Sequence, residues 1–210
     1  MNIAYFRKSS FSVEETLEHA KKEAKRLGLT ILGTTDLPGK NGVILHICNP
    51  AWIGNLIASD ENLIGLLPCS VAVIQTQDNV RIGVGSPTVL GSISRHPAIN
   101  ALADQAQSTL STLVDSAAGV GPRKAKKLKL YSTTTCPYCK AEASWLDTHN
   151  VTYDEVHVDH DEKEAEEMVK KTGQMGVPVT AVTYEDGEEE FIVGFDQHRL
   201  AAIVQNMNSK

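Results

Sequence analysis

The chain has 210 residues, of which 41% are hydrophobic and 22% charged, and a net charge of −6. That composition belongs to one large or two small folded domains and excludes disordered and collagen-like chains. It holds no apolar run of roughly 18 residues, which excludes a transmembrane helix, and its acidic balance argues against nucleic-acid binding. The N-terminus has no basic run ahead of an apolar core, so no signal peptide is expected and the expected compartment is the cytoplasm.

The first half alternates strand and helix patterns. Residues 2–8 suit a strand. Ser12-Val13-Glu14-Glu15 has the form of a capping box, in which the Ser oxygen and the Glu carboxylate each take an orphan N–H. Val13, Leu17, Ala20, Ala24 and Leu27 then recur at helical spacing until Gly28. Leu29 to Thr34 and Val43 to Cys48 suit strands joined by the turn cluster at 38–42. Asn49-Pro50 opens a short helix, with Asn as cap and Pro at the first helical position. Cys69 to Gln75 and Val80 to Val84 form a hairpin around 77–79. Pro97 starts a long helix with Ile99, Leu102, Ala106, Leu110, Leu113 and Ala117 on one face.

A seam follows. Residues 1–124 carry a net charge of +1 and residues 125–210 a net of −7. Gly119, Gly121 and Pro122 break the long helix, and Arg123, Lys124, Lys126 and Lys127 suit a solvated tether. The expected division is a domain at 1–119, a linker at 120–127 and a domain at 128–210. The second domain runs strand Leu128 to Ser132, helix Pro137 to Thr148, and a strand around Tyr153 and Val156. Then come helix Asp161 to Lys171, strands Val179 to Thr183 and Glu190 to Val193, and helix Asp196 to Met207. The order is β-α-β-α-β-β-α; strands separated by helices are expected to pair in parallel, and the hairpin antiparallel.

Cys136-Pro137-Tyr138-Cys139 follows the first strand of that domain and opens its first helix. Unpaired N–H groups and the macrodipole at a helix N-terminus favour an anion, and a Cys there has a pKa of about 3.5–7.5. Cys136 is thus the candidate nucleophile. Cys139, one turn on, is the candidate resolving thiol that displaces the mixed disulfide. Half a zinc site and a structural disulfide are the competing readings. The first lacks a second ligand pair at similar spacing, and the second is rare in a cytosolic chain. No metal site is expected there. Lys140 suits a solvated helix position.

These residues carry a resemblance. Leu130-Tyr131-Ser132 before the Cys pair, then Thr172 to Val179 through Gly176-Val177-Pro178, then Gly194-Phe195-Asp196, resemble a glutaredoxin over about residues 127–207. The resemblance implies a thioredoxin fold and a cis bond before Pro178. It implies that Val177 presents backbone groups to substrate, that Tyr138 flanks the groove, and that Gly194 and Asp196 lie where a peptide carboxylate or amine sits. It further implies a thiol–disulfide oxidoreductase of electron transport, acting on a disulfide-containing protein or a glutathionylated substrate without a bound cofactor. Glutathione is the implied reductant, and thioredoxin reductase the alternative donor. Departures bear on that choice: Gly176 stands where Thr is common before Val-Pro, Phe195 where a second Gly is common, and Thr133 where Lys is common. Each removes part of a glutathione clamp, which needs donors for two carboxylates.

Val43 to Pro50, followed by Leu66-Leu67-Pro68-Cys69-Ser70-Val71, is similar to the DUF302 family over about residues 1–119. That resemblance implies a compact α+β domain that forms a homodimer, with no activity to carry over. Three readings of its cysteines stay open. Cys48 and Cys69 are buried small hydrophobes, or they lie adjacent across neighbouring strands and exchange disulfides with Cys136, or they join His46 and His96 in a metal or haem site. At the level of the whole chain, the competing class is a ligand- or partner-binding first domain whose redox state the second domain controls. An iron–sulfur carrier using Cys136 is a third class, set back by the second cysteine.

Overall fold

Strict alternation at residues 43–47, 71–73 and 80–84 makes strands with one apolar face, and that face needs a cover. The computed structural model describes residues 3–39, 41–59, 62, 69–87, 89 and 97–208. It divides into two units, 3–122 and 123–210. The first unit runs β1 (Ala4–Ser9), α1 (Val13–Arg26), β2 (Thr30–Asp36), β3 (Gly42–Cys48), α2 (Pro50–Ser59), β4 (Cys69–Gln75), β5 (Val80–Gly85) and α3 (Pro97–Ala118). Its sheet is antiparallel throughout, in the order β1-β5-β4-β3-β2. Val43, Leu45, Ile47, Val71, Val73, Ile82 and Val84 form a core with Ala20 and Ala24 of α1 and Leu110, Leu113 and Ala117 of α3. Leu66 to Pro68 and His96 lie outside the described residues.

Local chemistry sets the helix ends. Ser12 accepts the Glu15 N–H, and the Glu15 carboxylate accepts the Ser12 N–H at 3.0 Å, as the capping box predicts. α3 ends at Gly119, where φ is +72°. The Val120 N–H reaches the Asp115 carbonyl at 3.0 Å and the Gly119 N–H reaches Ser116 at 3.1 Å, which closes the helix as a Schellman turn. A Cβ on Gly119 would stand 2.5 Å from the Phe11 ring. Gly119→Ala is therefore expected to destabilise this unit by about 1–3 kcal/mol, from the positive φ and the clash together. Urea unfolding checks it, and an unchanged midpoint would refute it.

The second unit runs β6 (Ala125–Ser132), α4 (Pro137–Thr148), β7 (Tyr153–His157), α5 (Glu162–Thr172), β8 (Val179–Tyr184), β9 (Glu189–Val193) and α6 (Gln197–Asn208). Its strand order is β7-β6-β8-β9. β6 and β7 are parallel, as expected, but β8 runs antiparallel to β6. The chain re-enters the sheet at the end it left: Val179, first in β8, pairs with Tyr131 near the end of β6. That reversal brings Pro178 to the end of the sheet where Cys136 lies.

The expected linker is also shorter. β6 starts at Ala125, with a bulge between Ala125 and Lys127 opposite Thr183 and Tyr184. The lysines sit on the strand: Lys127 pairs with Asp154 at 2.6 Å and Lys129 with Glu164 at 3.1 Å. Leu128, Leu130, Leu146, Val182, Ile192 and Leu200 form one core cluster, and Tyr131, Met168, Val179 and Ala181 another. Among the described residues no helix is long and apolar enough to cross a membrane.

Candidate active site at the Cys136–Cys139 turn

The turn between β6 and α4 is held by Asp159, whose carboxylate accepts the Thr134 N–H at 3.1 Å and the Thr134 hydroxyl at 2.7 Å. Cys136 then takes the N-cap position, with φ −74° and ψ 119°, and Pro137 sits in the first turn. Proline suits that place because its missing N–H has no helical partner there. The Cys136 Sγ accepts the Cys139 N–H at 3.3 Å. Burial opposes ionisation of Cys136. Hydrogen bonds from the Cys139 thiol and from the amides of Cys139 and Tyr138, with the charge of Lys140, outweigh it and hold the pKa below the ordinary thiol value. Lys140 thus contributes to the site as well as being solvated.

Cys139 is the opposite case. It is 1% exposed. Burial, then its hydrogen bond to Cys136, push its thiol up to about 12. The turn therefore pairs an accessible, anion-stabilised sulfur with a buried protonated one.

The Val177–Pro178 bond is cis. The Val177 carbonyl oxygen lies 3.8 Å from the Cys136 Sγ. Pro178 is buried and Val177 half-buried. Gly194, with φ +80°, donates its N–H to the Pro178 carbonyl at 2.8 Å, which brings the residues after β9 to the same place. Asp196 is exposed and accepts the Arg199 N–H at 3.0 Å, capping α6. Tyr138 is 69% exposed. Two residues went unremarked in the sequence. Met175 is an exposed large apolar side chain on the approach to Val177. Glu142 is fully buried one turn beyond Cys139, and its spacing on α4 was the one available signal.

Among its described residues, the first unit brings no comparable group together. Cys48 is buried and Cys69 half-buried; both are free thiols whose ionisation burial disfavours. Ile47, not Cys48, stands opposite Cys69 in the β3–β4 register, while the charge of Cys48 still acts on the Cys69 thiol and helps to raise it, so the two are near neighbours one residue out of register. The His46 ring bonds Thr35 at 2.9 Å through Nε2 and Ser70 at 3.3 Å through Nδ1, which engages both nitrogens. Among the described residues no three His, Cys, Asp or Glu side chains cluster to hold a metal.

Residues 5–117 match the domain of unknown function DUF302, and residues 128–185 match the glutaredoxin family. A glutaredoxin-like 8.6 kDa protein encoded in the rubredoxin operon of Clostridium pasteurianum is 38% identical over 78 residues, 37% of this chain and 97% of that protein. Glutaredoxin 3 of Escherichia coli K12 is 33% identical over 51 residues, 24% of this chain and 61% of that protein. The crystal structure of a conserved DUF302 protein from Bacillus stearothermophilus superposes with a TM-score of 0.51 at 23% identity. It covers 56% of this chain and 99% of that one, a likeness of fold. The chain belongs to the DUF302 family through its first unit and to the glutaredoxin family, with its thioredoxin fold and thiol–disulfide redox character, through its second.

Proposed function

We propose that the chain reduces disulfides through a dithiol cycle at Cys136 and Cys139, with a disulfide-bearing protein or a glutathione mixed disulfide as substrate. The observation that carries this reading is the Cys136 sulfur at the N-cap of α4, beside the Val177 carbonyl and with a buried protonated thiol one turn away. The Cys136 thiolate attacks one sulfur of the substrate disulfide and expels the other as thiolate. Cys139 then attacks Cys136, releases the reduced substrate and leaves a Cys136–Cys139 disulfide. Two thiols, from glutathione or through thioredoxin reductase, return the pair to its starting state. Val177 and Pro178 line the groove for an extended segment, with Tyr138, Gly194 and Asp196 at its rim. Thr133 and Phe195 in place of common clamp residues favour a groove that does not depend on glutathione alone.

The test uses full-length Cys139→Ser protein, which cannot complete the second step. Incubated with oxidised glutathione, and separately with a disulfide-bonded protein such as insulin, it should retain one adduct per chain, mapped to Cys136 by mass spectrometry. No adduct, or adducts confined to Cys48 and Cys69, would overturn the assignment. Recovery of the oxidised wild-type protein with glutathione, compared with NADPH and thioredoxin reductase, identifies the donor.

A further inference from the structure

Among the described residues of the second unit, Glu142 is the one buried carboxyl side chain, with no exposure at all. It lies three residues after Cys139 on α4, so the two share a face one turn apart. Its Oε1 accepts the hydroxyl of Thr180, on β8 two residues after Pro178. Its Oε2 is buried and has no hydrogen-bond partner among the described residues. A clamp between α4 and β8 explains the first oxygen; a serine or an amide would serve that end equally well. It leaves the second oxygen unexplained, and buried oxygens are nearly always satisfied.

The dithiol cycle has an unmet need at the same place. Cys139 must lose a proton before it can attack, yet it is a buried thiol. We propose that Glu142 is the proton acceptor for Cys139 in the resolving step, and returns that proton when the pair is reduced. The inference rests on the cycle proposed above. In the mixed disulfide, the Cys139 S–H proton passes to Glu142 Oε2, directly or through one water. The Cys139 thiolate attacks Cys136 Sγ, the Cys139–Cys136 bond forms, the Cys136–substrate bond breaks, and the substrate leaves as thiolate. Electrons and protons balance without a further reagent.

The electrostatics agree. Burial, with Asp196 adding to it, pushes the Glu142 carboxyl up to about 7 against the pull of the Thr180 hydrogen bond. A carboxyl with that value takes and gives protons readily near neutrality. The charged groups that act on it are Asp196 ahead of α6 and Cys139 on α4; β8 offers the Thr180 hydroxyl. Negative charge on Cys136 raises the Cys139 pKa, and forming the mixed disulfide removes it. The proton transfer therefore becomes easier at the step that needs it.

The experiment mixes the reduced full-length protein with dithiobis-nitrobenzoate and follows release of thionitrobenzoate. Cys136 releases the first equivalent and Cys139 the second; a Cys136→Ser control gives the background from Cys48 and Cys69. In Glu142→Gln the first phase should stay within about twofold, while the second slows by about a hundredfold at pH 7, the scale of general-base catalysis. Its pH profile should lose the neutral midpoint and climb steadily into the alkaline range. Glu142→Asp should restore part of the neutral rate. A second phase with the same rate and pH profile in Glu142→Gln as in wild type overturns the inference. Loss of the first phase in wild type would instead defeat the dithiol cycle itself. Should Glu142→Gln fail to fold, carbon-13 NMR of wild-type and Cys139→Ser proteins labelled at glutamate decides. A Glu142 signal titrating near neutrality, with a midpoint that moves in Cys139→Ser, supports the role; titration in the ordinary carboxylate range overturns it.

Discussion

Cys136→Ser is expected to cut disulfide reduction to about a thousandth of the wild-type rate or less, because a hydroxyl in that position supplies almost no anion at neutral pH. The sulfur does two things that no neighbour can replace. It ionises under the amides of Tyr138 and Cys139, and it is the only thiol of the pair open to solvent. Cys139 cannot substitute, since its burial keeps it protonated and out of reach. The pH profile of the wild type carries the same signature. A thiol whose pKa lies below the ordinary value of about 8.5 stays ionised as pH falls through that value. The first attack should therefore hold its rate from mildly alkaline to neutral pH and fall only in acid, as the thiolate takes up a proton. Rates on a small disulfide, measured from acid to mildly alkaline pH, check both points. A midpoint at the ordinary thiol value would refute the second, and full activity in Cys136→Ser the first.

Asp115→Ala is expected to destabilise the first unit by about 3–5 kcal/mol, the usual effect of taking one partner from a buried ion pair. Arg7 on β1 and Asp115 on α3 are 9% and 7% exposed. Arg7 Nη1 donates to Asp115 Oδ1 at 2.7 Å, and the Tyr5 hydroxyl donates to the same oxygen at 2.7 Å. Burial and the neighbouring carboxylate both raise the Tyr5 pKa, so the phenol remains a donor at all working pH values. Alanine removes the carboxylate and leaves the guanidinium desolvated without it. Asp115→Asn keeps the shape and an acceptor and should cost less. The two tryptophans separate the units, since Trp52 belongs to the first and Trp145 to the second. Urea unfolding followed through Trp52 in a Trp145→Phe background reads the effect. A loss below about 1 kcal/mol would show that the pair contributes little.

What could be read in the sequence was local. The Ser12–Glu15 box, the cap role of Cys136 with Pro137 behind it, and the hairpin of β8 and β9 each depend on a few adjacent residues, and each formed as its chemistry dictates. Pairings set by distant residues were not readable. Arg7 and Asp115 are 108 residues apart, and nothing near either one announces the other. Lys126 and Lys127 have the composition of a tether, but a bulge and the partner Asp154 keep the strand going through them. The direction of β8 depends on where the chain re-enters the sheet after α5, which periodicity does not encode. Glu142 is the clearest case. A glutamate in an amphipathic helix is ordinarily solvated, and here only the packing of Thr180 against α4 puts it in the interior.

The unequal exposure of the two sulfurs also imposes an order of events. In the proposed cycle a bulky disulfide meets Cys136 and never Cys139, so every substrate would be caught at one position. On that cycle the chain would hold at most one captive at a time, with the inner thiol as a release latch rather than a second hook.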